Sequence, residues 1–247
     1  MSEVLTEAGG IRVTTKIASV GIAALVLALF AVLWLIERRK RTGKHAVPGD
    51  WMSGAGYGLL PGFAVWKVFE HLSRNGRGAA VTEPLPLVRW LTEEGRYCPC
   101  RIELAAAALC FIAVTLWLIF RKREPEGSGD LLPVTLCLWS AVRIVTESFR
   151  PEPNHLLRYT YCAAILLCLV WWTVRRTRVS RGAVRTAADW IAAAVCTGII
   201  VVTSEGILSV GSGIGDLAVT AGCALLLCAL TLIAGSDCRK LTDPVSG

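Results

Sequence analysis

The stretch "IASVGIAALVLALFAVLWLIERRKRTGK", Ile17–Lys44, sets the terms for the whole chain. Ile17 to Ile36 carry no charge, and a dense basic cluster follows at once. A helix rises 1.5 Å per residue, and about 20 apolar residues cross a hydrocarbon layer of roughly 30 Å. A cluster of Lys and Arg closing such a run marks a cytoplasmic end. The cluster stands after the apolar run rather than before it, so no cleavable leader is expected.

The rest of the sequence repeats this pattern. The chain has 247 residues, 54% of them hydrophobic and only 18% charged. Seven apolar segments are predicted: Ile17–Ile36, Gly54–His71, Ile102–Phe120, Leu131–Phe149, Leu157–Val174, Ala187–Val210 and Ile214–Ala234. The expected fold is an all-α polytopic membrane protein of about seven transmembrane helices, forming one integral membrane domain over 1–247. Basic clusters close segments one, three, five and seven, as "ERRKRTGK", "RKR", "RRTRVSRGAVR" and "SDCRK". With those ends inside, the N-terminus lies outside and the C-terminus in the cytoplasm. The expected location is the plasma (inner) membrane, crossed many times. The second segment, "GAGYGLLPGFAVWKVFEH", is rich in glycine and carries Pro61 in its middle, so a broken or re-entrant helix is one reading of it.

Composition also narrows the function. The net charge of +7 sits mostly in juxtamembrane clusters, which orient the chain and attract anionic membrane lipid. No nucleic-acid partner is expected. Of the ten cysteines, Cys110, Cys137, Cys162, Cys168, Cys196, Cys223 and Cys228 lie inside apolar runs, where cysteine serves as a small packing residue. Cys98 and Cys100 in "YCPCR" lie outside them, with a spacing that suits no zinc site. No metal site is expected.

The stretch with most chemical content is "AVRIVTESFRPEP", Ala141–Pro153, at the end of the otherwise uncharged fourth segment. Arg143, Glu147 and Arg150 fall three and four residues apart, on one helix face. A charge at that depth costs at least ~2.5 kcal/mol unless it is paired or wetted. Lys67, Glu70 and His71 end the second segment, and Glu103 begins the third. On the expected topology all reach the outer leaflet. Two readings stand there: a set of ion pairs that locks helices together, or a polar pocket. Guanidinium groups grip phosphate through a planar fork, so such a pocket suits an anionic phospholipid.

Three elements also resemble a known family, the prolipoprotein diacylglyceryl transferases. "RIVTESFRPE" is similar to the family's R-x-x-x-E-x-x-R helix with its following acidic residue. "CPCRIELAAAAL" resembles the P-x-x-L-Y-E element that opens a helix, keeping Pro99 and Glu103. "GYGLLPGFAVWKVFEHL" looks like the family's Y-G-L-L-P-G entry, including Tyr57. The elements occur in family order, over about 54–174, with 187–234 as extra helices. The sequence departs from the family at Trp66 and Lys67, where a Gly-Arg stands, and at Glu70, where an Asn stands. The family's His-Gly-Gly element has no counterpart in "VTTKIASVG".

The resemblance implies a transferase without metal or other cofactor. Its partners would be phosphatidylglycerol and the signal peptide of a lipoprotein precursor. The lipobox cysteine thiolate would attack the glyceryl carbon that bears the phosphate, forming a thioether and releasing glycerol phosphate. Arg143 would take the catalytic arginine position, with Glu147 orienting it and His71 as a substitute base. Lys67, Glu103, Arg150, Tyr57 and Glu70 would line the substrate site. Two alternatives stay open. One is an inactive relative that binds phospholipid or lipoprotein precursor. The other is a small transporter, for which Glu205 and Asp216 are the candidate residues.

Overall fold

A computed structural model describes residues 4–8, 11–43, 45–72, 92–93, 96–120, 129–149, 154–179, 183–207 and 213–242. Seven α-helices carry these residues: α1 Thr15–Thr42, α2 Pro48–Leu72, α3 Pro99–Phe120, α4 Leu131–Thr146, α5 His155–Val179, α6 Ala183–Ser204 and α7 Gly213–Thr242. Two antiparallel ribbons accompany them, β1 Val4–Ala8 with β2 Ile11–Thr14, and β3 Thr92–Glu93 with β4 Arg96–Tyr97. The helices follow the order of the apolar segments. The ribbons have no apolar run to announce them.

Among the described residues, five helices are long and apolar enough to cross a membrane: α1, α4 with the turn that follows it, α5, α6 and α7. Their outer faces carry large apolar side chains with nothing over them, such as Leu25 on α1 (70% exposed), Leu167 on α5 and Leu225 on α7. Exposed apolar surface of that extent is what lipid covers and water does not tolerate.

The chain divides into two compact units, the first made of 1–135 with 149–152 and the second of 136–148 with 153–247. The family-like stretch 54–174 therefore contributes to both.

In the first unit, α2 runs unbroken through Pro61. A proline removes one helical donor and crowds one carbonyl, yet the helix continues from Pro48 to Leu72, neither broken nor re-entrant. Gly54, Gly58 and Gly62 recur every four residues, and each presses on the backbone of α1, at Ala31, Leu27 and Ala23 in turn. A small residue at every fourth position brings two membrane helices into backbone contact. Around this seam Tyr57 meets Phe30, Trp34 and Phe111, with ring centroids 6.0, 5.4 and 5.4 Å away. Gly56 sits against the backbone of Leu131 and Leu132. Asp50 accepts the Val47 amide at 3.1 Å and pairs with Arg38 at 3.2 Å. One arginine of the orienting cluster therefore also ties α1 to the start of α2.

In the second unit, α7 packs against α5 and α6. Its core comprises Ile165, Leu169, Trp172, Ala193, Ile200, Ala224 and Leu227. Gly235 gives its missing side chain's place to the Trp172 ring. The Thr203 and Thr220 hydroxyls meet at 3.3 Å between α6 and α7. Gly206 ends α6 with φ of 70°, a left-handed turn in which the Gly206 and Ile207 amides bond back to Thr203 and Val202. Cys137 and Cys228 bring their sulfurs to 3.6 Å, both buried, as expected of cysteines used for packing.

Candidate functional site

The last turn of α4 runs into a sequence that cannot stay α-helical. Pro151 disfavours helical geometry in the residue before it, and the chain tightens into a 3-10 turn over Glu147–Phe149. Arg143 and Glu147 remain one turn apart on the same side. Both are buried, at 4% and 0% exposure, and the guanidinium Nη2 lies 3.5 Å from Glu147 Oε2.

The start of α5 completes their surroundings. Arg143 Nε donates to the Tyr161 hydroxyl at 3.1 Å, and the guanidinium stands 5.4 Å from the centroid of the same ring. The Asn154 amide donates to Glu147 Oε1 at 3.4 Å. Asn154 also caps α5, its Oδ1 accepting the Leu157 amide at 3.1 Å. One turn in, Arg158 is 6% exposed. It donates to Ser148 Oγ at 2.8 Å and to Ser204 Oγ at 3.1 Å. Nearer the surface, the Tyr159 hydroxyl bonds Glu205.

This end of the second unit therefore gathers two guanidiniums, a carboxylate, a phenol and two hydroxyls at low exposure. Donors held this way, out of water, grip an oxyanion more strongly than they would at the surface.

The first unit holds the other charged cluster. Lys67 and Glu103, 2% and 0% exposed, form an ion pair between α2 and the N-terminal part of α3. The ammonium also lies over two rings, 5.2 Å from the centroid of Phe63 and 4.8 Å from that of Trp66. Tyr57 belongs to the aromatic cluster already described. Glu70 and His71 lie in the last turn of α2, with side chains outside the described residues, and Arg150 is outside them altogether. Among the described residues no group of three or more His, Cys, Asp or Glu is placed to hold a metal ion.

Arg158, Tyr161 and Asn154 belong to this site and are absent from the sequence-based candidates. A signal for them exists. In "NHLLRYTY" the three fall at i, i+4 and i+7, one polar face at the head of an apolar helix. Their position next to a loop makes the same letters look like an ordinary solvated flank. Ser148 and Ser204 carry no comparable signal.

No family model, curated protein or solved structure matches this chain.

Proposed function

We propose that this chain is a multi-pass plasma-membrane protein that binds the phosphate of phosphatidylglycerol in the outer leaflet. In this reading all seven helices belong to the membrane domain, with the N-terminus outside and the C-terminus in the cytoplasm. The observation that carries it is the burial of Arg143 beside Glu147 and Tyr161, at the end of a helix apolar enough to span. A buried arginine held by a phenol and a carboxylate is aimed rather than mobile, and an aimed fork suits phosphate.

The reaction proposed is diacylglyceryl transfer to the lipobox cysteine of a lipoprotein precursor. The cysteine sulfur attacks the glyceryl carbon, the carbon–oxygen bond to phosphate breaks, and glycerol phosphate departs with the electron pair. The thiol proton passes to a base, for which His71 is the candidate. Arg143 stabilises the charge that collects on the departing phosphate. Glu147 holds the guanidinium in place. Arg150 and Glu70 remain substrate-binding candidates on the strength of the sequence.

A second reading is favoured by one observation. Lys67 is saturated by Glu103 and two rings, which fits a structural clasp better than a substrate contact. That reading is a protein that binds phospholipid or precursor without turnover. One experiment separates the two. Purified full-length protein in detergent is given radiolabelled phosphatidylglycerol and a lipobox peptide. Thioether product supports the transferase. Saturable lipid binding without product supports the binder. Neither binding nor product would refute both.

A further inference from the structure

Among the buried cations, Arg158 differs in kind from Arg143 and Lys67. Each of those has a carboxylate in ion-pair contact. Arg158 makes its two hydrogen bonds to neutral hydroxyls, of Ser148 and Ser204. Its Nε is buried with no hydrogen-bond partner, and no carboxylate lies within ion-pair distance of it among the described residues. Glu147 acts on it electrostatically from farther away, and Glu147 is already engaged by Arg143. A buried guanidinium without its own counter-ion is strongly disfavoured. The arrangement is explained if the counter-ion is a ligand.

We propose that Arg158 is a second phosphate-binding arginine, taking with Arg143 the monoanionic phosphate of a glycerolipid headgroup. This rests on the phospholipid reading above. The two buried guanidiniums and the one buried carboxylate leave one positive charge, which matches one phosphodiester; the Glu205 carboxylate nearby is exposed. The two serines add to the match. Each accepts from Arg158 and keeps its own hydroxyl proton, which a phosphate oxygen can receive. The rival account is a clamp: Arg158 joins the turn after α4 to the ends of α5 and α6 and binds nothing.

The test uses full-length protein in detergent micelles, titrated calorimetrically with dioctanoyl phosphatidylglycerol, dioctanoyl phosphatidylcholine and sn-glycerol 1-phosphate. The variants are Arg158→Lys, Arg158→Gln and the double change Ser148→Ala with Ser204→Ala. Arg158→Lys keeps the charge, so it guards against a variant that fails to fold. The expected result is phosphatidylglycerol binding weakened about tenfold by Arg158→Lys, since lysine lacks the planar fork, and lost in Arg158→Gln, with thermal unfolding of the lysine variant near that of the parent. Phosphatidylcholine carries the same phosphodiester but adds a cationic choline beside the guanidiniums, so it should bind more weakly than phosphatidylglycerol; equal binding would overturn the charge match. Saturable binding of glycerol phosphate with the same variant dependence, and none of the lipid, would keep Arg158 as a phosphate ligand and make a free phosphate its partner. Unchanged lipid affinity in Arg158→Lys, with stability lowered in Arg158→Gln and in the serine pair, would establish the clamp and end the proposal. If the unmodified protein binds neither anionic probe, the phospholipid reading itself fails.

Discussion

Arg143 meets Tyr161 twice, through a 3.1 Å hydrogen bond from Nε to the phenol oxygen and through the ring face 5.4 Å from the guanidinium carbon. Arg143 thus has an anchor on α5 as well as one in the 3-10 turn that follows its own helix, in Glu147. That double hold suits a group whose task is to present a fork in one direction.

The first prediction follows from this contact. Tyr161→Phe removes the hydrogen bond and keeps the ring. Stability should fall by about 1 kcal/mol, the usual net worth of one hydrogen bond. Lipid affinity should fall as well, because Arg143 loses its aim. Thermal unfolding in micelles and phosphatidylglycerol titration measure the two effects separately. An unaltered affinity would mean that Tyr161 does not orient the guanidinium.

Lys67 and Glu103 are both buried, and neither can lose its partner cheaply. Lys67→Met or Glu103→Gln alone should destabilise the protein by about 3–5 kcal/mol, because each strands a buried charge or its partner. The double change Lys67→Met with Glu103→Leu should recover most of that loss. Retention of lipid binding in the double variant would identify the pair as a clasp, as the surrounding rings suggest. Loss of binding at recovered stability would return both residues to the substrate site.

The glycine stripe makes a different kind of claim. A side chain at Gly58 would strike the Leu27 carbonyl of α1, whereas one at Gly198 meets nothing within 4 Å. Gly58→Ala should therefore cost about 1–3 kcal/mol through overpacking. Gly198→Ala should be neutral or stabilising by up to ~1 kcal/mol, from helix propensity alone. The yield of folded protein and its unfolding temperature read both. Equal behaviour of the two variants would contradict the close approach of α1 and α2.

Orientation is open to chemical labelling. His45 and Ile207 are both exposed, one between α1 and α2 and the other after α6. On the proposed topology His45 lies in the cytoplasm and Ile207 outside. A cysteine at Ile207 should react with an impermeant thiol reagent in intact cells, and one at His45 only after lysis. The reverse pattern would move the lipid site to the inner leaflet.

How far these features could be read in advance depended on how local their causes are. Helix order and identity came through because each apolar run is long enough to signal itself. Helix ends did not: α1, α2 and α7 all extend past their apolar runs, carried on by charged residues such as Glu37 and Arg41, which pair at 2.7 Å. Pro61 reads as a break because a proline's cost is local, while the close packing of Gly58 and Gly62 on Leu27 and Ala23 joins two helices and has no local signal. The pairing of Arg143 with Glu147 followed from helical spacing alone. That of Lys67 with Glu103 joins different helices, and spacing within one helix does not yield it. Arg158 was hidden for a similar reason. Its burial depends on Ser148 and Ser204, ten and 46 residues away.

The central claim concerns Arg143, and one set of variants tests it most directly. Arg143→Lys and the double change Arg143→Met with Glu147→Met are compared with the parent for membrane yield and phosphatidylglycerol binding. If Arg143 only neutralises Glu147, lysine should serve, and removal of the whole pair should be tolerated. If it grips phosphate, lysine should bind about tenfold more weakly for want of the fork. The double variant should then insert at normal yield and bind no lipid. That second pattern is the one predicted. Full lipid binding by the double apolar variant would contradict it and make the Arg143–Glu147 pair a structural clasp.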